Sequence, residues 1–205
     1  MSGRNSTKKV LKFKIVVAGS KDAGKTSLIR RYATGKFTSD LLSTIGVDFE
    51  TKKVDVDDMN ILLNIWDFAG EEKFRTLFPA YVSGASAALL LYDITNKDSL
   101  DDLHDWIEVI TSVHNRPKTL ILIEAKCDLE DQRVISREAG MNFFKEYHFN
   151  GNLLPTSAKT GENVEKAFEM VGTEIVKNSL TKCPNCGNFY PIEQKICQYC
   201  GKKTQ

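Results

Sequence analysis

Short apolar runs and amphipathic segments alternate along the chain, and this alternation predicts strands and helices in turn. Two of the runs, Ala87–Tyr92 and Thr119–Glu124, are almost entirely apolar, which is typical of strands covered on both faces. Two others flank the polar pair Asp57-Asp58, which predicts a hairpin turn. The predicted strands are Phe13–Ala18, Val47–Val56, Asn60–Trp66, Ala87–Tyr92 and Thr119–Glu124.

Apolar residues recur at helical spacing between these runs. Because Leu100, Leu103, Ile107, Ile110 and Val113 are three or four positions apart, we expect one continuous amphipathic helix there. Strands that alternate with helices predict an α/β domain with a mostly parallel sheet and helices on both faces. The other predicted helices are Lys25–Ala33, Ser136–Tyr147 and an amphipathic segment over Val164–Ile175.

The composition is that of an ordinary globular protein, with 205 residues of which 41% are hydrophobic and 27% charged. The 28 Lys and Arg residues nearly balance the 27 Asp and Glu residues, so overall charge does not favour nucleic acid as a partner. No apolar run approaches the roughly 20 residues of a membrane-spanning helix. Because no signal peptide or lipidation box is recognisable either, we expect a cytoplasmic protein.

A change of composition near Leu180 divides the chain. Residues 1–11 are polar and basic, and they predict a flexible N-terminal tail. Residues 12–179 carry the alternating strands and helices, whereas residues 180–205 contain four of the five cysteines. We therefore expect a main α/β domain over 12–179 and a small cysteine-rich unit over 180–205.

The segment Gly19-Ser-Lys-Asp-Ala-Gly-Lys-Thr26 matches the phosphate-loop pattern G-x-x-x-x-G-K-[ST] between a predicted strand and a predicted helix. Glycines let the backbone approach phosphates, and N–H groups at a helix N-terminus favour anions. Lys25 is expected to reach the β- and γ-phosphates, and Thr26 to bind Mg²⁺. The pattern alone leaves kinases, ATPases and GTPases open. The predicted nucleotide-binding residues here are Lys21, Asp22, Ala23, Gly24, Lys25, Thr26 and Ser27.

Two C-x-x-C pairs, each followed by glycine, lie near the C-terminus and resemble the knuckles of a zinc ribbon. Four thiolates complete the closed tetrahedral shell of a structural Zn²⁺ ion. The metal would supply the folding free energy that so small a unit cannot obtain from burial alone. Disulfides, a redox pair or a rubredoxin-like iron site are the alternatives. The predicted zinc ligands are Cys183, Cys186, Cys197 and Cys200.

Four further stretches distinguish among phosphate-loop proteins. These are Ser43-Thr-Ile-Gly-Val-Asp-Phe49, Asp67-Phe-Ala-Gly70, Ala125-Lys-Cys-Asp128 and Thr156-Ser-Ala-Lys159. With the phosphate loop, they make the chain from about Lys12 to about Lys177 resemble the Ras superfamily of small GTPases, and its Rab branch most closely. The resemblance implies a P-loop NTPase G domain with a mostly parallel six-stranded sheet, followed by a small C-terminal zinc ribbon.

The resemblance also implies roles around the phosphates. Thr26, Thr44 and Asp67 would hold Mg²⁺, and Thr44 and the Gly70 N–H group would contact the γ-phosphate. Phe37 would lie against the edge of the guanine, with an ordinary packing role as the alternative. The residues expected to take part in hydrolysis are Lys25, Thr44, Gly70 and Glu71.

Base recognition is implied at two loops. Asp128 would accept hydrogen bonds from the guanine ring N–H and amino groups, which adenine does not offer. Lys126 would lie along the base plane, and the Ala158 N–H group would contact the guanine oxygen. The predicted base-binding residues are Lys126, Asp128, Ser157, Ala158 and Lys159.

The chain departs from the family pattern at three places. Ala125 replaces an asparagine that bonds guanine and braces the phosphate loop, so we expect weaker nucleotide binding. Lys21 and Asp22 occupy positions where the family often has small residues; a bulky side chain there could crowd the γ-phosphate, Lys21 could offer it a positive charge, or both side chains could point into solvent. Glu71 replaces a glutamine that orients the attacking water, and a carboxylate can accept a proton from water but repels the γ-phosphate.

The resemblance implies a molecular switch. GTP, GDP and Mg²⁺ are the expected ligands, and residues 35–46 and 68–81 are the expected moving loops. Effector proteins, an exchange factor and a GTPase-activating protein are the implied partners, and peripheral membrane association is left open. A non-catalytic binding scaffold with the same fold is the main alternative, and an ATP-using enzyme the second.

Overall fold

Six strands form the sheet of the main domain: β1 (Leu11–Ala18), β2 (Val47–Val56), β3 (Met59–Phe68), β4 (Ala87–Asp93), β5 (Thr119–Ala125) and β6 (Leu154–Thr156). The structure, a computed structural model, describes residues 10–39, 44–57, 59–71 and 76–203. The strand order is β2-β3-β1-β4-β5-β6. Only the β2–β3 pair is antiparallel among these neighbours, so the predicted, mostly parallel sheet is confirmed.

Helices cover both faces of the sheet, as the sequence predicts. On one face, Phe168 stacks on Tyr32 with ring centroids 3.9 Å apart. On the other face, Trp106 packs edge-on against Phe78 at 4.8 Å. All four rings are buried, so each face carries its own apolar core. The helices are α1 (Lys25–Thr34), α2 (Phe78–Val82), α3 (Asp98–Asp101), α4 (Leu103–Ser112), α5 (Arg137–Glu146) and α6 (Val164–Ser179), with a 3-10 helix over Cys127–Gln132.

The prediction of one continuous helix through Leu100 and Val113 is wrong in two details. The segment is divided at Asp102 into α3 and α4, and the Asp102 carboxylate accepts a hydrogen bond from Ser20 Oγ at 2.7 Å. Val113 lies beyond the helix with an extended backbone (φ −77°, ψ 142°), because the chain turns at Asn115 (φ 59°) to enter β5.

Other differences concern short elements. β6 has three residues and includes Pro155, which cannot donate to a strand ladder, so the sequence pattern did not indicate it. β1 begins at Leu11, which pairs with Ile61 although the sequence assigned it to the tail. The predicted hairpin turn includes Asp57, whose φ is 49°, while Asp58 lies outside the described residues.

The cysteine-rich unit begins where α6 ends. β7 (Leu180–Lys182) pairs antiparallel with β8 (Phe189–Pro191). Leu180 is buried in the core beneath α6, and Phe189 packs against that core. The Ile192 N–H group bonds the Ser179 carbonyl at 2.9 Å. This unit is therefore held against the main domain by burial and by backbone hydrogen bonding.

Candidate functional site

The phosphate loop lies between β1 and α1, at the carboxyl end of the parallel sheet. Gly19 has a φ of 143°, and a Cβ there would come within 2.3 Å of the Leu91 carbonyl oxygen, so the position requires glycine. Gly24 is the N-cap of α1 with a φ of 93°, and the Leu28 N–H group bonds its carbonyl at 2.8 Å. The free N–H groups of the first turn of α1 therefore face the loop's concave side.

Lys25 is the buried cation of this loop. Lys25 as a residue is 5% exposed. Its ammonium group donates to the carbonyls of Gly19 at 2.9 Å and Ser20 at 2.6 Å. Burial lowers the pKa of Lys25 to about 8, and the nearby Asp67 and Asp22 carboxylates oppose that shift. An anion at the loop would favour the charged ammonium in the same way.

Three side-chain oxygens predicted to hold Mg²⁺ converge beside Lys25. Thr26 Oγ1 lies 2.6 Å from Asp67 Oδ2 and 2.7 Å from Thr44 Oγ1, although the three residues come from different elements. Asp67 Oδ1 is buried and has no hydrogen-bond partner among the described residues. Burial raises the pKa of Asp67, while the Thr26 hydroxyl and Lys25 oppose that shift. A buried orphan oxygen beside two hydroxyls fits a hard divalent cation such as Mg²⁺.

Gly70 brings the loop after β3 onto the phosphate loop. A Cβ at Gly70 would lie 2.4 Å from the Lys21 backbone N and 2.6 Å from Lys25 Nζ. Only glycine permits this approach. The Oε1 atom of the neighbouring Glu71 lies 3.7 Å from Lys21 Nζ. The two segments therefore meet where a γ-phosphate would lie.

The carboxyl ends of the strands open onto a cavity of about 330 Å³, a size typical of ligand sites. It brings together residues from the phosphate loop, the loops after α1 and β3, and the two loops assigned to the base. The predicted site residues that line it are Lys21, Asp22, Gly24, Lys25, Thr26, Ser27, Phe37, Thr44, Gly70, Glu71, Lys126, Asp128, Ala158 and Lys159.

Two predicted nucleotide-binding residues do not line the cavity. Ala23 is 1% exposed and belongs to the core beneath α1. Ser157 is fully buried, and its Oγ accepts a hydrogen bond from the Thr160 N–H group at 3.1 Å. Ser157 therefore shapes the loop that presents Ala158 to the cavity.

The base end contains an ion pair that sequence reasoning missed. Lys126 Nζ lies 2.7 Å from Asp93 Oδ2, and Asp93 Oδ1 accepts two hydrogen bonds from Thr95 at 2.8 Å. The signal available in the sequence was an acidic residue that ends an apolar strand. Lys126 itself has a φ of 64°, which re-aims the chain as it leaves β5.

Ala125, Leu129, Thr156 and Ser39 also line the cavity. Ala125 is 4% exposed and pairs with Asp93 and Thr156 in the sheet, so its methyl group stands at the junction of three strands. Leu129 and Ser39 had no distinguishing pattern in the sequence.

The four C-terminal cysteines form a second site, in the unit beyond α6. Their Sγ atoms all lie within 4.8 Å of one another, and none is in a disulfide. The two C-x-x-C turns repeat one backbone pattern: Gly187 N–H bonds the Cys183 carbonyl at 2.9 Å, and Gly201 N–H bonds the Cys197 carbonyl at 2.8 Å. This cluster could hold a tetrahedral metal ion.

Backbone donors favour thiolates in this cluster. The Asn188 backbone N–H group lowers the pKa of Cys186, and the Lys202 N–H group lowers that of Cys200 to about 6. Burial instead raises the pKa of Cys197 to about 11. A divalent ion would stabilise all four thiolates together.

Among the residues that the structure describes, no helix combines the length and apolarity needed to cross a membrane.

Known proteins with similar sequences indicate the family of this chain. The model of the Ras family matches residues 14–177. Ras-related protein Rab-26 of Rattus norvegicus is 42% identical over 178 residues, or 86% of this chain and 68% of the relative. Rab-3C of Bos taurus is 42% identical over 157 residues, or 77% of this chain and 68% of the relative. Rab-8B of Homo sapiens is 38% identical over 195 residues, or 94% of this chain and 92% of the relative.

Proposed function

This chain belongs to the Ras family as a Rab-like small GTPase, and from this premise we propose that it binds GTP and GDP with Mg²⁺, hydrolyses GTP, and switches partner binding through residues 35–46 and 68–81. The convergence of Thr26, Thr44 and Asp67 beside buried Lys25 carries the proposal. Buried polar groups from separate elements, with one orphan carboxylate oxygen, fit a phosphate–metal site better than a structural role.

Phosphate binding rests on the chain's own groups. The N–H groups of the phosphate loop and of the first turn of α1 would hold the β-phosphate, and Lys25 would exchange its carbonyl partners for phosphate oxygens. Thr26, Thr44 and Asp67 would hold Mg²⁺, which neutralises charge that develops on the phosphates. Because Thr44 belongs to a separate loop, loss of the γ-phosphate would release it.

Guanine selectivity is assigned to Asp128, with Lys126 along the base plane and the Ala158 N–H group contacting the base oxygen. Their places around one end of the cavity support this assignment. Phe37 lines the same cavity and is 39% exposed, so a bound base would cover it. The missing asparagine at Ala125 would weaken binding without changing base preference.

Hydrolysis is assigned to Glu71, which would orient the attacking water and accept its proton. Gly70 supports this assignment, because its close approach to the phosphate loop carries Glu71 to the cavity. We infer a slow rate in the absence of an activating partner, because intrinsic GTPase rates are low without one.

Partner binding is assigned to the surface beside the two loops. Ile45 is 85% exposed, Phe49 50% and Leu77 48%, and Phe49 packs edge-on against Trp66 at 5.1 Å. Exposed apolar groups gathered beside a γ-phosphate-dependent loop fit an effector, and the same loops would receive an exchange factor and a GTPase-activating protein. Cytoplasmic location with peripheral membrane contact is part of the proposal, and nucleic acid is not.

The cysteine cluster is assigned to Zn²⁺ in a structural role, and its ligands are Cys183, Cys186, Cys197 and Cys200. Residues 180–205 are assigned to a zinc ribbon that follows a G domain over residues 12–179. The repeated backbone pattern of the two turns supports it. A closed shell of four thiolates leaves no position for catalysis.

Single-turnover conversion of bound GTP to GDP tests the proposal. Native protein is loaded with GTP and Mg²⁺, and GDP is measured over time beside the Glu71→Gln variant, with GTP competed against ATP in a parallel binding assay. Turnover that changes in the variant supports the switch. Intact GTP in both proteins, with nucleotide still bound, would favour the non-catalytic scaffold. That alternative is considered because Lys21, Glu71 and Ala125 depart from the family pattern.

A further inference from the structure

Lys21 and Glu71 form an ion pair across the mouth of the phosphate site. Lys21 Nζ lies 3.7 Å from Glu71 Oε1, and the two side chains are 53% and 27% exposed. Both residues line the nucleotide cavity. The pair joins the two loops that Gly70 brings together, since a Cβ at Gly70 would lie 2.4 Å from the Lys21 backbone N.

A glutamate at this place has a chemical difficulty. As a carboxylate it can accept a proton from water, but its charge repels the γ-phosphate. A neighbouring cation reduces this repulsion, because it offsets the charge of the carboxylate, and it also restrains the direction of the side chain. Among the described residues, Lys21 is a cation that the structure sets against Glu71.

Of the other lysines that line the cavity, Lys25 and Lys126 have partners of their own, and Lys159 belongs to the loop after β6. Lys25 is buried and directed at the carbonyls of Gly19 and Ser20. Lys126 pairs with Asp93 at the base end. Phosphate binding is therefore assigned to Lys25, whereas Lys21 lies beside Glu71, the residue assigned to the attacking water.

We propose that Lys21 is the positioning residue of the hydrolytic step, holding Glu71 toward the attacking water. The inference rests on the proposed GTP hydrolysis. In the step, the water oxygen bonds the γ-phosphorus and the bond from that phosphorus to the β–γ bridging oxygen breaks. The electron pair leaves with GDP, and the water proton passes to the Glu71 carboxylate and from there to the released phosphate.

The same pair ties the loop after β3 to the phosphate loop, so water handling and phosphate binding are coupled through one contact.

Single-turnover hydrolysis in the absence of any partner tests the proposal with four variants: Lys21→Gln, Lys21→Arg, Glu71→Gln and the double variant Lys21→Gln/Glu71→Gln. Lys166→Gln, an exposed lysine on α6 outside the cavity, is the matched control. Affinities for fluorescent GDP and for a non-hydrolysable GTP analogue are measured for each protein.

We expect Lys21→Gln to lower the rate by about tenfold or more, Lys21→Arg to restore most of it, and GDP affinity to stay near the native value. Because Lys21 acts through Glu71, the double variant is expected to match Glu71→Gln alone. A native rate in Lys21→Gln, or two effects that multiply in the double variant, would overturn the role of Lys21 while leaving hydrolysis in place. Intact GTP in the native protein, with GDP still bound, would instead refute the proposed hydrolysis and this role with it.

Discussion

The nucleotide end and the cysteine end of this molecule obtain their geometry in different ways. At the nucleotide end, Thr26 and Asp67 are presented by a helix and a strand of a domain whose apolar residues form two large buried cores. At the cysteine end, the buried cluster consists of Cys183, Tyr190 and Cys197, with Cys200 against it. One site is built on a packed scaffold, whereas the other has its own ligands as its core.

From this difference we expect the C-terminal unit to need its ligand for folding, and the main domain to need its ligand only for switching. Burial on the scale of the main domain can order the phosphate loop without nucleotide. A unit with so small a core of its own would obtain folding free energy from the proposed metal. We therefore expect metal removal to abolish the C-terminal unit, and nucleotide removal to leave the main sheet intact.

The largest effect is expected from Cys197→Ser. Loss of one thiolate opens the tetrahedral shell, so the variant should lose its bound zinc and the protection of residues 180–203 from hydrogen exchange, while nucleotide binding remains. Metal content and hydrogen exchange measured by mass spectrometry check this. Cys127→Ser is the control and should keep its zinc. A Cys197→Ser protein with a full complement of metal would contradict the assignment.

The next effect is expected from Phe168→Ala in α6. Phe168 is fully buried and stacked on Tyr32, so truncation should lower the free energy of unfolding by about 3–5 kcal/mol. Denaturant unfolding of the nucleotide-free protein measures this, with Lys166→Gln as a surface control on the same helix. If the Phe168→Ala variant unfolded at the native midpoint, the packing of Phe168 would not contribute to the stability of the main domain.

A gain of nucleotide affinity is expected from Ala125→Asn. Ala125 lines the cavity between Asp93 and Thr156, so an amide there could add one hydrogen bond, worth about 0.5–1.5 kcal/mol. The dissociation rate of fluorescent GDP should fall accordingly. Ala125→Val adds bulk without a donor and should not slow dissociation. Faster release from Ala125→Asn than from the native protein would show that the space at this junction is too small.

The smallest effect is expected at the ion pair between Lys118 and Glu193, which links the cysteine unit to the main domain. Both side chains are largely exposed, at 54% and 72%, and exposed pairs contribute little. Lys118→Ala should leave the thermal midpoint within measurement error, whereas Leu180→Ala, which removes a buried contact between the same two regions, should lower it. The reverse order would mean that charge, and not burial, joins the two regions.

Local spacing explains why much of this molecule was predictable. The apolar runs predicted five strands of the sheet, and the glycine and lysine positions of the phosphate loop predicted its place between β1 and α1. β6 was missed because it is short and contains Pro155, and the division at Asp102 was missed because it adds no break in the apolar spacing. The ion pair of Lys126 with Asp93 joins residues far apart in the chain, so no spacing rule reports it.

The sequence by itself determined the family, the order of five strands and the longer helices, the phosphate loop and the two cysteine pairs, because each is encoded in residues close together along the chain. Only the tertiary structure decided that Lys21 meets Glu71, that Thr44 reaches Thr26 and Asp67, and that Leu180 joins the core beneath α6. Such contacts depend on the path of the whole sheet, since a parallel sheet brings the carboxyl ends of distant strands to one edge.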